Sequence, residues 1–178
     1  KDVTQAAVNA VTKSGIFPAD NNFLMRIACA ESRYGNDPNT YRDGYDGGIW
    51  QVDSFDDTQD ITSHPGLVNK FAQIKQAFGI DWQAVQQSDL RKPLYSAIAA
   101  RLYLSNIKPA IPKDLEAQAA YWKKYYNTEA GAGTEQDFID RVKECEAPPT
   151  TTPPPTPAPT TPGKFRGSSV LSEKLAAL

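Results

Sequence analysis

Glu31 is the residue from which chemistry in this sequence would start. It closes the apolar run FLMRIAC within Ala30-Glu31-Ser32-Arg33-Tyr34-Gly35. On a helical wheel counted from Phe23, Ile27 falls at about 40°, Glu31 at about 80°, Leu24 at about 100° and Ala28 at about 140°. The carboxyl therefore sits in the stripe that should face the core, while Arg26, Cys29 and Arg33 lie on the other side. Burial without a cation raises a carboxyl pKa, because desolvation disfavours the charged form. A carboxylic acid kept protonated near neutral pH is the donor that general-acid cleavage of a glycosidic bond needs. The wheel also admits a blander outcome, a helix end where Glu31 turns to solvent or to the following loop.

A second constellation follows within twenty residues, Gly47-Gly48-Ile49-Trp50-Gln51-Val52-Asp53. A glycine pair lets backbone approach a bound polymer, Trp50 offers a flat face for a sugar ring, and Gln51 is both donor and acceptor. Trp82 and Trp122 could line a cleft as well, with core packing favoured for Trp82 and more weakly for Trp122; Tyr34, Tyr41 and Tyr45 lie in the same irregular stretch and are better candidate cleft walls. His64 is the only histidine and sits beside Pro65 at a helix start, which favours a structural role over Ser-His-Asp catalysis. Zinc lacks ligands, and the stretch from Asp37 to Gly44 fails the calcium-loop template, so no metal or cofactor is expected.

The pair AESRYG…GGIWQVD resembles the lysozyme-like superfamily, specifically goose-type lysozymes and lytic transglycosylases. There an E-S pair ends a core helix, and a G-x-G-L-M-Q-V/I-D-like segment follows about twenty residues later. The segment YYNTEAG at Tyr125–Gly131 resembles that family's A-Y-N-A-G segment with a two-residue insertion, and Ile49-Trp50 replaces the usual Leu-Met. The resemblance implies a mainly α (α+β lysozyme-like) fold, with a small loop or β lobe flanking a cleft for amino-sugar polymers. It implies Glu31 as general acid, Ser32 as its motif neighbour, Gln51 on the cleft floor, and Tyr126 with Asn127 as the Tyr-Asn pair. Asp53 matches the Asp after Gln-Val, and a further family Asp has Asp43 as its nearest counterpart, with Asp46 as the alternative. Such a site hydrolyses β-1,4 links if Asp53 or Asp43 positions a water, and otherwise gives 1,6-anhydro products. The implied partner is a polysaccharide, peptidoglycan or chitin. A glycan-binding or matrix protein on the same scaffold, with catalysis lost, is the rival expectation.

The elements that must hold these residues are mostly helical. Val3, Ala7 and Val11 mark a helix from Asp2 to Ser14; Asp20 is a candidate N-cap for the Glu31 helix, and Gly35 stops it. Leu67, Phe71, Ile74 and Phe78 follow helical spacing up to Gly79, and Pro93 opens a helix carrying Leu94, Ile98 and Leu102. Asp114 precedes another, and Thr134 with Asp137 forms a capping-box pattern before Phe138 and Val142. The stretch 36–63 lacks this period and holds the only candidate strands.

At 178 residues and 40% hydrophobic content the chain can bury one proper core, assigned to 1–146. Residues 147–163 hold eight of the fourteen prolines among threonines, an extended mucin-like stalk. In the tail 164–178, Leu171, Leu175 and Leu178 fall at the spacing of a short amphipathic helix. That tail carries three cations against Glu173, leaving 1–146 at a formal charge of −4 within a total of −2. With no basic cluster along the chain, nucleic acid is not an expected partner; no apolar run reaches membrane length, and a monomer is expected. Cys29 and Cys145 read either as a disulfide or as two unrelated thiols. A bond would close a loop of about 116 residues, stabilise by about 4–5 kcal/mol on the chain-entropy model, and point to an oxidising, extracellular setting. The opening KDVTQAAV shows no charged-then-apolar leader, as expected equally of a mature secreted chain and a cytosolic one.

Overall fold

Pro93 opens the helix around which the others gather. The computed structural model describes residues 1–53 and 60–149; Asp56, Asp57, most of the Pro/Thr segment and the whole 164–178 tail lie outside the described residues. Residues 1–147 form one compact unit. Its α-helices are α1 (Asp2–Lys13), α2 (Phe23–Ser32), α3 (Val68–Phe78), α4 (Pro93–Ser105), α5 (Leu115–Tyr121) and α6 (Glu135–Glu146). The chain of α5 continues directly into a π-helical stretch, Trp122–Asn127. No strand occurs among the described residues, so the chain is mainly α, and the stretch after Tyr34 runs as turns up to Val52.

α4 is central because it is buried all round. Residues from Ser96 to Leu104 are all buried, Ser96 and Arg101 being the polar members of an otherwise apolar run. It packs on α1, on α2 and on the 3₁₀ turn Gln87–Arg91, while α2 and α5 both pack on α6. Phe138 of α6 joins these layers, its ring centroid 6.2 Å from Phe23 and 5.1 Å from Trp122. Full burial of such side chains contributes roughly 1.5–3 kcal/mol each.

The helix ends follow the local chemistry with small shifts. Asp114 accepts the Ala117 amide, Thr134 and Asp137 complete a reciprocal capping box, and Gly79 ends α3 with φ of 69°. α2 starts at Phe23 instead of Asp20, yet the Asp20 carboxylate still caps it by accepting the Leu24 amide at 2.8 Å. Val3 departs from the expected α1 stripe, being 61% exposed; Thr4 and Val8 are buried with Ala7 and Val11. Cys29 and Cys145 form a disulfide that ties α2 to α6.

Candidate functional site

The last turn of α2 delivers Glu31 to the meeting point of three elements: the turn Gly47–Asp53, the π-helical stretch and α6. Its side chain is partly exposed but largely surrounded by protein, and desolvation raises its pKa from 4.5 to about 7. Two weaker influences oppose this. The indole Nε1 of Trp122 donates to Glu31 Oε1 at 2.8 Å, and the Arg141 guanidinium acts on the carboxyl through its charge. Arg141 belongs to α6, where it donates to the Ala30 carbonyl, so the basic influence on Glu31 among the described residues comes from another helix. At neutral pH the carboxyl is divided between its protonated and ionised forms.

The Gly47–Asp53 turn is bolted in place by polar side chains from three elements. Ser32 Oγ donates to the Ile49 carbonyl at 2.6 Å, and Ser96 Oγ donates to Gly47 O at 3.0 Å while accepting the Trp50 amide at 3.1 Å. The Trp50 indole donates to Leu24 O at 2.8 Å, and the Tyr126 hydroxyl donates to Trp50 O at 2.6 Å. Gly48 has φ of 68°, and a Cβ there would overlap the Leu90 carbonyl oxygen, so only glycine fits. The close backbone approach made by this glycine is thus to the protein itself.

Beyond the turn lies an open groove of about 210 Å³ lined by Gln51, Val52, Asp53, Tyr103, Tyr126 and Thr128. Tyr126 is half-buried, stacked edge-on against Tyr103 with centroids 5.4 Å apart, and its hydroxyl pKa is raised by burial and then by the Glu31 charge. Tyr45 links the two carboxylates. Its pKa is pushed up to about 12 by burial, with the Asp53 and Glu31 charges adding to the rise. Gln51 (φ 51°) and Thr128 (φ 64°, ψ 171°) hold backbone conformations that non-glycine residues rarely adopt. Such strain costs on the order of 1–3 kcal/mol and clusters at functional sites.

The structure brings together Glu31, Tyr45, Gln51, Asp53 and Tyr126 and sets the remaining expectations differently. Trp50 offers no face to a cleft: it is fully buried and forms the underside of the turn. Ser32 is buried as well, its hydroxyl spent on the turn and on the Gly35 amide. Gln51 shapes the floor through its own amide, which donates to Thr40 O and Gly48 O and accepts from Arg42. Asn127 Oδ1 accepts from Lys123 Nζ at 2.9 Å, and the same ammonium binds Thr128 O and Gly131 O, so Asn127 shapes its loop and does not line the groove. Asp43 is exposed and does not line the groove either; Asp46 is bound to Arg91 at 2.9 Å. Tyr34 rests under Lys1, away from the groove. His64 accepts the Gly66 amide and caps its 3₁₀ turn, the structural role expected of it.

Trp122, open between core and cleft in the sequence, is 4% exposed, and its one polar atom points at Glu31, a contact that the sequence does not name. A signal existed: Trp122 precedes Tyr126 by four residues, which places both on one helical face. The chain matches no family model, no curated protein and no solved structure.

Proposed function

We propose that this protein is a lysozyme-type glycoside hydrolase that cleaves β-1,4 links of N-acetylhexosamine polymers, peptidoglycan foremost, with Glu31 as general acid. One observation carries the reading: a carboxyl with a pKa of about 7, held by an indole donor, whose charge reaches Tyr126 in the wall of the open groove although Glu31 does not itself line it. A pKa matched to neutral pH suits proton delivery to a departing glycosidic oxygen. The motif resemblance supports the same assignment, and the lysozyme-like arrangement, with the turns after Asn36 as the lobe beside the cleft, belongs to it.

In this mechanism the protonated Glu31 gives its proton to the leaving oxygen as the C1–O bond breaks. Asp53 then activates a water for attack on C1 from the opposite face, and the sugar leaves with inverted configuration. Asp53 is the better second carboxylate because it lines the groove and Asp43 does not. Tyr103 and Tyr126 supply ring surface for sugar rings, their hydroxyls already donating to Tyr125 O and Trp50 O.

A second reading has its own support. Asp53 is exposed and accepts no hydrogen bond among the described residues, so nothing there fixes it for water activation. Without it, the substrate's own 6-hydroxyl attacks, giving a 1,6-anhydro end as in lytic transglycosylases; with catalysis lost altogether, the groove binds glycans only. The disulfide and the Pro/Thr stalk favour a secreted protein, and no helix among the described residues is long and apolar enough to cross a membrane. The −4 charge of residues 1–146 gives no steering toward anionic envelopes, so chitin is the alternative substrate. Incubation with peptidoglycan and with chitin oligomers, followed by product masses, tests all of this. Reducing ends one water heavier than anhydro ends mark the hydrolase, and binding without products marks the glycan-binding protein.

A further inference from the structure

A second pocket, of about 490 Å³, lies between the end of α4, the loop 106–113 and the α1–α2 connection. Among the described residues four cationic side chains line it, Lys70, Arg101, Lys108 and Lys113, and no carboxylate does. Leu104, Ile107 and Ile111 supply apolar wall. The walls are fixed by hydrogen bonds: Asn21 Nδ2 donates to Ile111 O at 3.1 Å, the Tyr121 hydroxyl to Pro109 O at 2.9 Å, and Gln118 Nε2 to Pro112 O at 2.9 Å. The site is built before any ligand arrives.

Arg101 brings a fixed charge to the base of the pocket. The residue is 4% exposed, its Nη2 donates to Pro18 O at 2.8 Å, and its Nη1, sealed from solvent beside Asp20, has no hydrogen-bond acceptor among the described residues. Among the described residues the nearest carboxylate, Asp20, stands 3.9 Å away with its oxygens already taken by the Leu24 and Asn22 amides. Buried polar groups are nearly always satisfied, and a buried guanidinium cannot shed its proton to escape the cost. None of Lys70, Lys108 or Lys113 is ion-paired among the described residues. The result is a site of positive potential on a domain whose formal charge is −4.

We propose that this pocket binds a small organic anion, an acid group on a compact apolar body, with the acid group toward Arg101, Lys108 and Lys113. A pocket of this volume is in the usual range for such ligands, and mixed apolar and convergent polar walls are what they require. The site is separate from the groove beside Glu31, so the proposal stands apart from the glycosidase reading.

Phenyl phosphate is the test probe, with inorganic phosphate and benzyl alcohol as its two halves, titrated into the full chain and followed by amide chemical shifts. Saturable shifts confined to the pocket, at Ile107, Ile111 and Tyr121, are expected, with each half binding about tenfold or more weaker than the whole. The double variant Lys108→Glu, Lys113→Glu changes side chains that are exposed, so it should fold normally and lose about tenfold in affinity. The paired control Lys13→Glu, Lys75→Glu, on exposed faces elsewhere, should bind as the parent does. Equal binding by benzyl alcohol, shifts spread over all surface lysines, or no saturable shift at all would each overturn the proposal.

Discussion

Glu31 near the end of α2 and Arg101 near the end of α4 are both ionisable side chains drawn out of water, and the two regions deal with that cost in opposite ways. Glu31 moves its pKa to about 7 and can take a proton, so its charge is optional at neutral pH. Arg101 has no such escape, since a guanidinium stays protonated even where burial lowers its pKa. The same desolvation therefore makes a proton donor in one place and a permanent, incompletely paired cation in the other. One region is poised for acid chemistry, and the other to attract an anion.

The largest expected effect comes from Glu31→Gln. Gln keeps the shape but cannot deliver a proton, so glycan cleavage should fall about 10²–10⁴-fold while glycan binding and the far-ultraviolet spectrum persist. Binding at the Arg101 pocket should not change. Cleavage retained within a few-fold would end Glu31's role as donor and, with it, the contrast between the two regions.

Reduction of the disulfide separates the regions in another way. Cys29 lies two residues from Glu31 on α2, and Cys145 lies on α6, which also carries Arg141 and Phe138. The Arg101 pocket includes neither helix in its lining. Cys145→Ser should cost about 4–5 kcal/mol by loop entropy and speed amide exchange at Ala30 and Glu31 more than at Ile107 and Ile111. Equal acceleration in both places would show that the bond stabilises without anchoring the site.

The pH dependence of stability should also differ. Glu31 has a folded pKa above its unfolded value, so the native state binds the extra proton between about pH 4.5 and 7. The penalty of ionising it is absent below that window and complete above it. Glu31→Gln should therefore match the parent near pH 4 and be more stable at pH 8–9 by on the order of 3 kcal/mol. Arg101→Met should shift stability by the same amount across pH 6–9. Denaturant unfolding at several pH values checks both, and a pH-independent difference for Glu31→Gln would contradict its raised pKa.

The finest distinction concerns Trp122. Its indole holds the ionised carboxylate and so pulls the Glu31 pKa down against the burial that raises it. Trp122→Phe should move the Glu31 titration, followed by carbon-13 shifts of its carboxyl, to higher pH. A shift downward would mean that solvent entry, not the lost hydrogen bond, governs the site.

The two regions also differ in how plainly the sequence declares them. Glu31 was legible because one helix wheel places it, and the caps at Pro93, Asp114 and Thr134 were legible because capping is local chemistry. Trp50 was misread because its neighbours do not say that Leu24 O and Tyr126 would enclose it from opposite sides. Ser32 and Asn127 were placed in the right neighbourhood, but their hydrogen bonds go to the backbone and to Lys123, partners that only the folded chain brings near. The basic pocket was invisible, because its four cations are spread from Lys70 to Lys113 and no window shows a cluster. Local signals report local structure, and a site assembled across loops leaves no pattern along the chain.

Glu31 serving as a proton donor at neutral pH is tested most directly by the pH–rate profile for cleavage of peptidoglycan or an N-acetylglucosamine oligomer. The reading predicts cleavage that is sustained below pH 7 and falls about tenfold per pH unit above a limb near 7, as the carboxyl ionises. A profile with no limb near pH 7, or no product from either polymer at any pH, would contradict it.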